Sequence, residues 1–261
     1  MIAFLVLLAA MGVMAYAGNQ LIKTDQMYRE GDTVYESLSE KVRSGVKADG
    51  LPPQENTGAG GLDKEGPDTA LVFIPDAGIN YETLKAISGN TAAWLYCPNT
   101  VIDYPVMKAD DYSYYLSHLP DGTQNANGSL FIDYNTPADF SGRLTVIYGH
   151  NMKSKKMFGS LTGYRNQEYY EAHPVMYLYT EKGDYRIELI YGFVIGAGQW
   201  RARAFMYGVN TGELLNYAAH HTTFESGVQY EDGDRIAALS TCSYEFDDAR
   251  YVVLGVLREP V

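Results

Sequence analysis

The stretch Arg235-Ile236-Ala237-Ala238-Leu239-Ser240-Thr241-Cys242, followed after a seven-residue break by Arg250-Tyr251-Val252-Val253-Leu254-Gly255-Val256-Leu257, decides the reading of this chain. Residues 235–241 and 251–257 are β-branched and apolar, as strands are, and the polar 243–249 between them is too short for a crossover. They read as neighbouring antiparallel strands, which puts Cys242 and Arg250 across the mouth of one loop. Facing residues in such a pair have Cα atoms about 5 Å apart, within reach of an arginine side chain. A thiol and a guanidinium at a strand end can attack a carbonyl and hold the oxyanion that forms.

The same texture runs upstream. Short β-branched and aromatic runs at 71–74, 93–97, 101–106, 129–133, 144–148, 175–180 and 185–195 are separated by turn residues such as Asn127-Gly128, Lys182-Gly183-Asp184 and Asp232-Gly233-Asp234. Short helices are expected at 81–87, 110–117, 156–161 and 212–220. Strands that follow one another with few helices between them favour a closed antiparallel or mixed barrel over a doubly wound parallel sheet. The fold class is therefore mainly β with short helices, a β-barrel preceded by an N-terminal helix and a linker.

Four segments are expected. Residues 1–22 carry no charge and are mostly apolar; as a helix rising ~1.5 Å per residue they reach about 30 Å, enough for a bilayer core. A retained membrane anchor is favoured over a cleaved signal peptide, for which Ala15-Tyr16-Ala17 would be an acceptable site. No Lys or Arg precedes this run and Lys23 follows it, so charge gives no support for a cytoplasmic N-terminus, and a start upstream of Met1 would account for that. Residues 23–43 read as a stalk helix interrupted at Gly31. Residues 44–69, dense in Gly and Pro, read as a flexible linker. The catalytic barrel is expected over 70–261.

Composition narrows the function. A net charge of -12 argues against nucleic acid, because phosphate binding needs a surplus of Lys and Arg. Two cysteines, Cys97 and Cys242, exclude a disulfide scaffold, and 46% apolar residues are enough for a packed core. His150, in Tyr148-Gly149-His150-Asn151, also follows a strand, where loops on a rigid scaffold carry chemistry. Whether it shares an end with Cys242 does not follow from spacing. A thiol with a pKa of about 8.5 gains thiolate beside an imidazolium or guanidinium, and a protonated His150 could hand its proton to a departing amine. Cys97 reads as inert core packing, and His118, His173, His220 and His221 as structural. Arg250 has a plainer alternative as the salt-bridge partner of Asp247 or Asp248. Adjacent His220 and His221 diverge on a helix, and Asp232-x-Asp234 is too sparse for calcium, so no metal and no cofactor are expected.

Taken in order, Leu239-Ser240-Thr241-Cys242, Arg250, Gly149-His150-Asn151-Met152 with Met157-Phe158 and Leu161, Trp94-Leu95-Tyr96, Pro98-Asn99-Thr100, Ile102-Asp103-Tyr104-Pro105-Val106 and Ser129-Leu130-Phe131-Ile132-Asp133-Tyr134 resemble the class B sortases over about residues 70 to 258. The resemblance implies a sortase β-barrel and a cysteine transpeptidase, membrane-anchored in a single pass, acting on the outer face of a Gram-positive-type membrane. It implies clients that are secreted proteins with a C-terminal sorting signal of the Asn-Pro-x-Thr-Asn/Gly kind, cut at the Thr carbonyl. The acyl group would pass through a thioester to an amine of peptidoglycan or lipid II, or to a pilin Lys. By the same match Cys242 is the nucleophile, His150 the general acid/base and Arg250 the oxyanion stabiliser, while Ser240 and Thr241 line the substrate groove. A cysteine hydrolase with the same trio, a pilus-assembling transpeptidase and a non-catalytic surface-binding module are the alternatives. The region 199–230 matches only in its helical character.

Overall fold

The computed structural model describes residues 2–43, 74–206 and 211–259. The linker at 44–69 and all but Ile74 of the strand expected at 71–74 lie outside them. Eight strands, β1 (Thr91–Tyr96), β2 (Asp103–Lys108), β3 (Leu130–Ile132), β4 (Leu144–Tyr148), β5 (Val175–Tyr179), β6 (Tyr185–Gly196), β7 (Ile236–Cys242) and β8 (Ala249–Arg258), close into a barrel in the order β1-β2-β3-β4-β7-β8-β6-β5. The pairs β2–β3 and β4–β7 are parallel and the other six are antiparallel. The closed, mixed barrel read from strand spacing is thus what forms.

Among the described residues five α-helices decorate it: α1 (Ile2–Arg43), α2 (Tyr81–Ile87), α3 (Gln167–Ala172), α4 (Ala197–Met206) and α5 (Thr211–His221). The expected helix at 110–117 shrinks to a 3-10 turn, Tyr114–Leu116. The cause is local: Asp111 Oδ1 accepts from the backbone N–H groups of Ser113 and Tyr114, at 2.6 and 2.8 Å, a side-chain turn that competes with helix propagation. The one expected at 156–161 is displaced to a 3-10 helix at Gly159–Arg165.

Alternation along the strands sorts side chains onto two faces. One set, including Leu95, Val106, Ile147, Ala237, Leu239 and Val253, builds the large core with Phe158 and Leu161. The other, Leu144, Val146, Ile236, Ala238, Val252, Leu254 and Val256, packs against Trp200 of α4 and Leu214, Leu215 and Ala218 of α5. This second face is the floor on which the site sits.

Helix α1 runs unbroken for 42 residues, so Gly31 does not interrupt it. Glycine is required there for approach: a Cβ would sit 2.5 Å from Asn127 Nδ2. The helix's last turns pack on the barrel. Leu38 and Val42 are buried, each worth about 1.5–3 kcal/mol of apolar burial, and Arg43 clamps Asp103 with two charge-assisted hydrogen bonds of 2.8 and 2.6 Å. Trp94 Nε1 donates to the same carboxylate at 2.6 Å. Among the described residues no helix is long and apolar enough to cross a membrane.

Leu239 is fully buried at the centre of β7, so Leu239→Ala should cost about 2–5 kcal/mol in urea denaturation with an unchanged m-value. A loss below about 1 kcal/mol would contradict the packing described.

Candidate active site

Strand register brings the predicted trio together. Cys242 ends β7 and pairs directly with Arg250 of β8. Strand β4 runs parallel to β7 with Tyr148 opposite Ser240, so the chain leaving β4 reaches His150 level with Cys242. Two hydrogen bonds extend the alignment past the strand ends: Gly149 N donates to Ser240 O at 3.2 Å, and Asn151 Nδ2 donates to Cys242 O at 2.7 Å. Counting in twos from Val146, Ala238 and Val252 arrives at His150, Cys242 and Arg250, so all three belong to the helix-covered face. They lie where the cover ends, and each is half-buried.

Each side chain has a defined support. The His150 ring bonds through Nε2 to the carbonyl of Leu116 at 2.7 Å; a carbonyl only accepts, so Nε2 carries the proton and Nδ1 is left for proton transfer. The Arg250 guanidinium donates to the carbonyls of Ala249 and Asp248, at 3.0 and 3.4 Å. It makes no ion pair with Asp247 or Asp248, so the salt-bridge alternative does not describe it. Asp248 takes a left-handed φ of 61°, the bend that returns the chain from the loop into β8. Gly149 must be glycine: a Cβ would lie 2.4 Å from Leu130 and 2.7 Å from Phe158.

Ser240 and Thr241 part company. Thr241 points to the other face, where its hydroxyl donates to Gly149 O at 2.8 Å and ties β7 to the turn before His150. Ser240 shares the face of Cys242, and its buried hydroxyl has no hydrogen-bond partner. Asn151 and the Leu116 carbonyl are contributors that composition and motif did not assign. Asn151 is adjacent to His150 in sequence, but its role appears only once β4 and β7 are aligned.

Two hollows flank the trio. One of about 470 Å3 is lined by Ala197, Gly198, Arg201, Ala202, Asp248 and Arg250. The other, about 410 Å3, lies on the Asn151 side and includes Lys153, Lys155, Arg165, Tyr244 and Glu245.

The remaining candidates are accounted for by structure. Cys97 is fully buried just past β1, its Sγ 3.7 Å from Tyr164 Oη, and burial pushes its thiol pKa up. Both cysteines are free. His118, His173, His220 and His221 each bond a backbone carbonyl through Nδ1.

No family model matches the chain. Sortase B of Listeria monocytogenes is 29% identical over 202 residues, covering 73% of this chain and 82% of that protein. Sortase B of Staphylococcus aureus is 25% identical over 178 residues, covering 67% and 73%. The solved sortase B of Clostridium perfringens superposes with a TM-score of 0.64 at 26% identity, over 69% of this chain and all of that one. A Bacillus anthracis protein described as similar to sortase B shares the fold at a TM-score of 0.70 and 23% identity, over 90% and 98%. Barrel and homologues together define a cysteine transpeptidase of the sortase type. Within that type, the sortase B homologues and the sortase B structure neighbour support class B.

The contrast between the two thiols is directly measurable. Iodoacetamide at neutral pH should modify Cys242 and leave Cys97 untouched in the folded chain, as read by peptide mass spectrometry; equal labelling of both would contradict the burial of Cys97.

Proposed function

We propose that this transpeptidase is held at the outer face of a membrane by its uncharged N-terminal 22 residues, and that it cuts a C-terminal sorting signal of the Asn-Pro-x-Thr-Asn/Gly kind and joins the Thr acyl group to an amine of peptidoglycan or lipid II. The observation that carries the residue roles is the register that sets Cys242 opposite Arg250 and level with His150 on one face.

In this reading the Cys242 thiolate attacks the Thr carbonyl carbon, and the oxyanion accepts hydrogen bonds from Arg250. The tetrahedral intermediate collapses with cleavage of the C–N bond. His150, protonated on both nitrogens, gives a proton to the leaving amine and retains its Nε2–H on Leu116 O. A thioester on Cys242 remains. The acceptor amine attacks it, its proton passes to His150, and the thiolate departs. The thiolate and the imidazolium are thereby restored to their starting forms.

The orphaned hydroxyl of Ser240 supports a role for it in holding the bound peptide, since a ligand group would satisfy it. Thr241 contributes by fixing the Gly149 turn that presents His150. The sorting peptide is assigned to the hollow beside Arg250, and the acceptor to the hollow beside Asn151 and Tyr244.

Incubation with sorting-signal peptides and an excess of amine should give a product with the mass of the truncated peptide joined to the amine. Cys242→Ala should abolish it. Arg250→Lys keeps the charge but loses the planar donor fork and should lower kcat by about 10²-fold. Full turnover by Cys242→Ala would end the proposal, and water replacing the amine at saturating amine would make the enzyme a hydrolase.

A further inference from the structure

The C-terminal half of α1 grips both segments that flank His150. On one side lies the loop through residues 125–129. Tyr35, buried, donates its hydroxyl hydrogen bond to Gly128 O at 2.5 Å, and its oxygen lies 3.2 Å from Ser129 Oγ. Asn125 Nδ2 donates to Met27 O at 2.7 Å; Asn127 Nδ2 donates to Tyr28 O at 3.2 Å and to Asp32 Oδ1 at 3.3 Å. On the other side, Asp32 pairs with Lys156 at 2.7 Å, in the segment that follows His150. Tyr35 also packs edge-to-face on Tyr104, at 5.2 Å between ring centroids, and Met157 N donates to Tyr104 Oη at 3.4 Å.

The loop that α1 holds is the one that orients the imidazole. Gly128, with a left-handed φ of 59°, packs so closely that a Cβ would fall 2.6 Å from Tyr115 O, 2.9 Å from Leu116 O and 3.0 Å from His150 Cδ2. Ser129 N donates to Tyr115 O at 2.8 Å, which fixes the turn whose next carbonyl, that of Leu116, accepts the His150 Nε2–H. The path from helix to imidazole is therefore Tyr35, the Gly128–Ser129 backbone, the Tyr115–Leu116 carbonyls, His150. Each step between segments is a hydrogen bond, and the rest of the path is covalent backbone.

We infer that Tyr35 and Asp32 are positioning residues for His150, and that docking of α1 on the barrel sets the ring in the orientation from which Nδ1 transfers protons. The inference rests on the proposed role of His150. It also ties the site to the N-terminus, because the same unbroken helix carries the apolar segment.

The test uses the full chain with Tyr35→Phe, which removes one hydroxyl from a retained ring, and Asp32→Asn, which removes the ion pair. Two readouts go beyond stability: kcat and KM taken separately with a sorting-signal peptide, and the His150 Nε2–H proton resonance with its solvent-exchange rate. Asp25→Ala, on the exposed face of the same helix, is the control. Tyr35→Phe should lower kcat about 10-fold with KM within about 2-fold, since small misplacements of a reacting group cost rate without costing ground-state binding. It should also speed exchange of the Nε2–H, and Asp32→Asn should do both to a lesser degree. Asp25→Ala should change neither. Should Tyr35→Phe prove unfolded by circular dichroism, Asp32→Asn carries the test. If the folded variants keep kcat within about 2-fold and leave the ring resonance unmoved while Cys242→Ala is inactive, the inference is overturned and the proposed function stands. If instead Cys242→Ala turns over normally, the proposed function falls, and the ring resonance alone still decides whether α1 holds the imidazole.

Discussion

The structure depends on the registration of β7 between two partners, β4 running parallel and β8 antiparallel. Side chains alternate with a period of two, so a slip of one residue in either ladder would send Cys242 to the large core and bring Thr241 to the open face. Two burial requirements oppose such a slip. Ala237 and Leu239 are buried in one core, and Ile236 and Ala238 in the other, so neither face tolerates exchange. The cost of moving four apolar side chains out of their cores fixes the position of a thiol that itself contributes little to stability. The Thr241 hydroxyl and the Asn151 amide then pin the two strand ends together just beyond the last ladder pair.

What could be read from the sequence follows the range of the interactions involved. The hairpin of β7 and β8 needs only a short loop and two apolar runs, so the pairing of Cys242 with Arg250 was legible. The alignment of His150 with Cys242 is not, because β4 and β7 are joined through the 3-10 helix, α3, β5, β6, α4 and α5, and no local rule sets a register across such a crossover. Helix α4 carries no sequence signal for a different reason. Ala197-Gly198-Gln199-Trp200-Arg201-Ala202-Arg203 carries one large apolar residue, and its helix is held by Trp200 in the second core rather than by any apolar stripe. In the other direction, the sequence favoured a helix at 110–117 that the Asp111 side chain ends early, and a break at Gly31 that tertiary contact with Asn127 removes.

Burial divides the labour between the two cysteines. Cys97 is buried where desolvation disfavours the thiolate, whereas Cys242 stands half-open at the end of β7, paired with Arg250 across the ladder. The chain as a whole is acidic, yet the hollow on the Asn151 side gathers Lys153, Lys155 and Arg165 around a single Glu245.

The central claim is that Cys242 carries the acyl group from the sorting peptide to the acceptor amine. The direct measurement is intact-mass and peptide-level spectrometry of the full chain, acid-quenched after incubation with a sorting-signal peptide and no amine. The account predicts a hydroxylamine-sensitive adduct, with the mass of the acyl fragment up to its Thr, on the peptide containing Cys242. Turnover with no adduct, or an adduct on Cys97 or another residue, would contradict it.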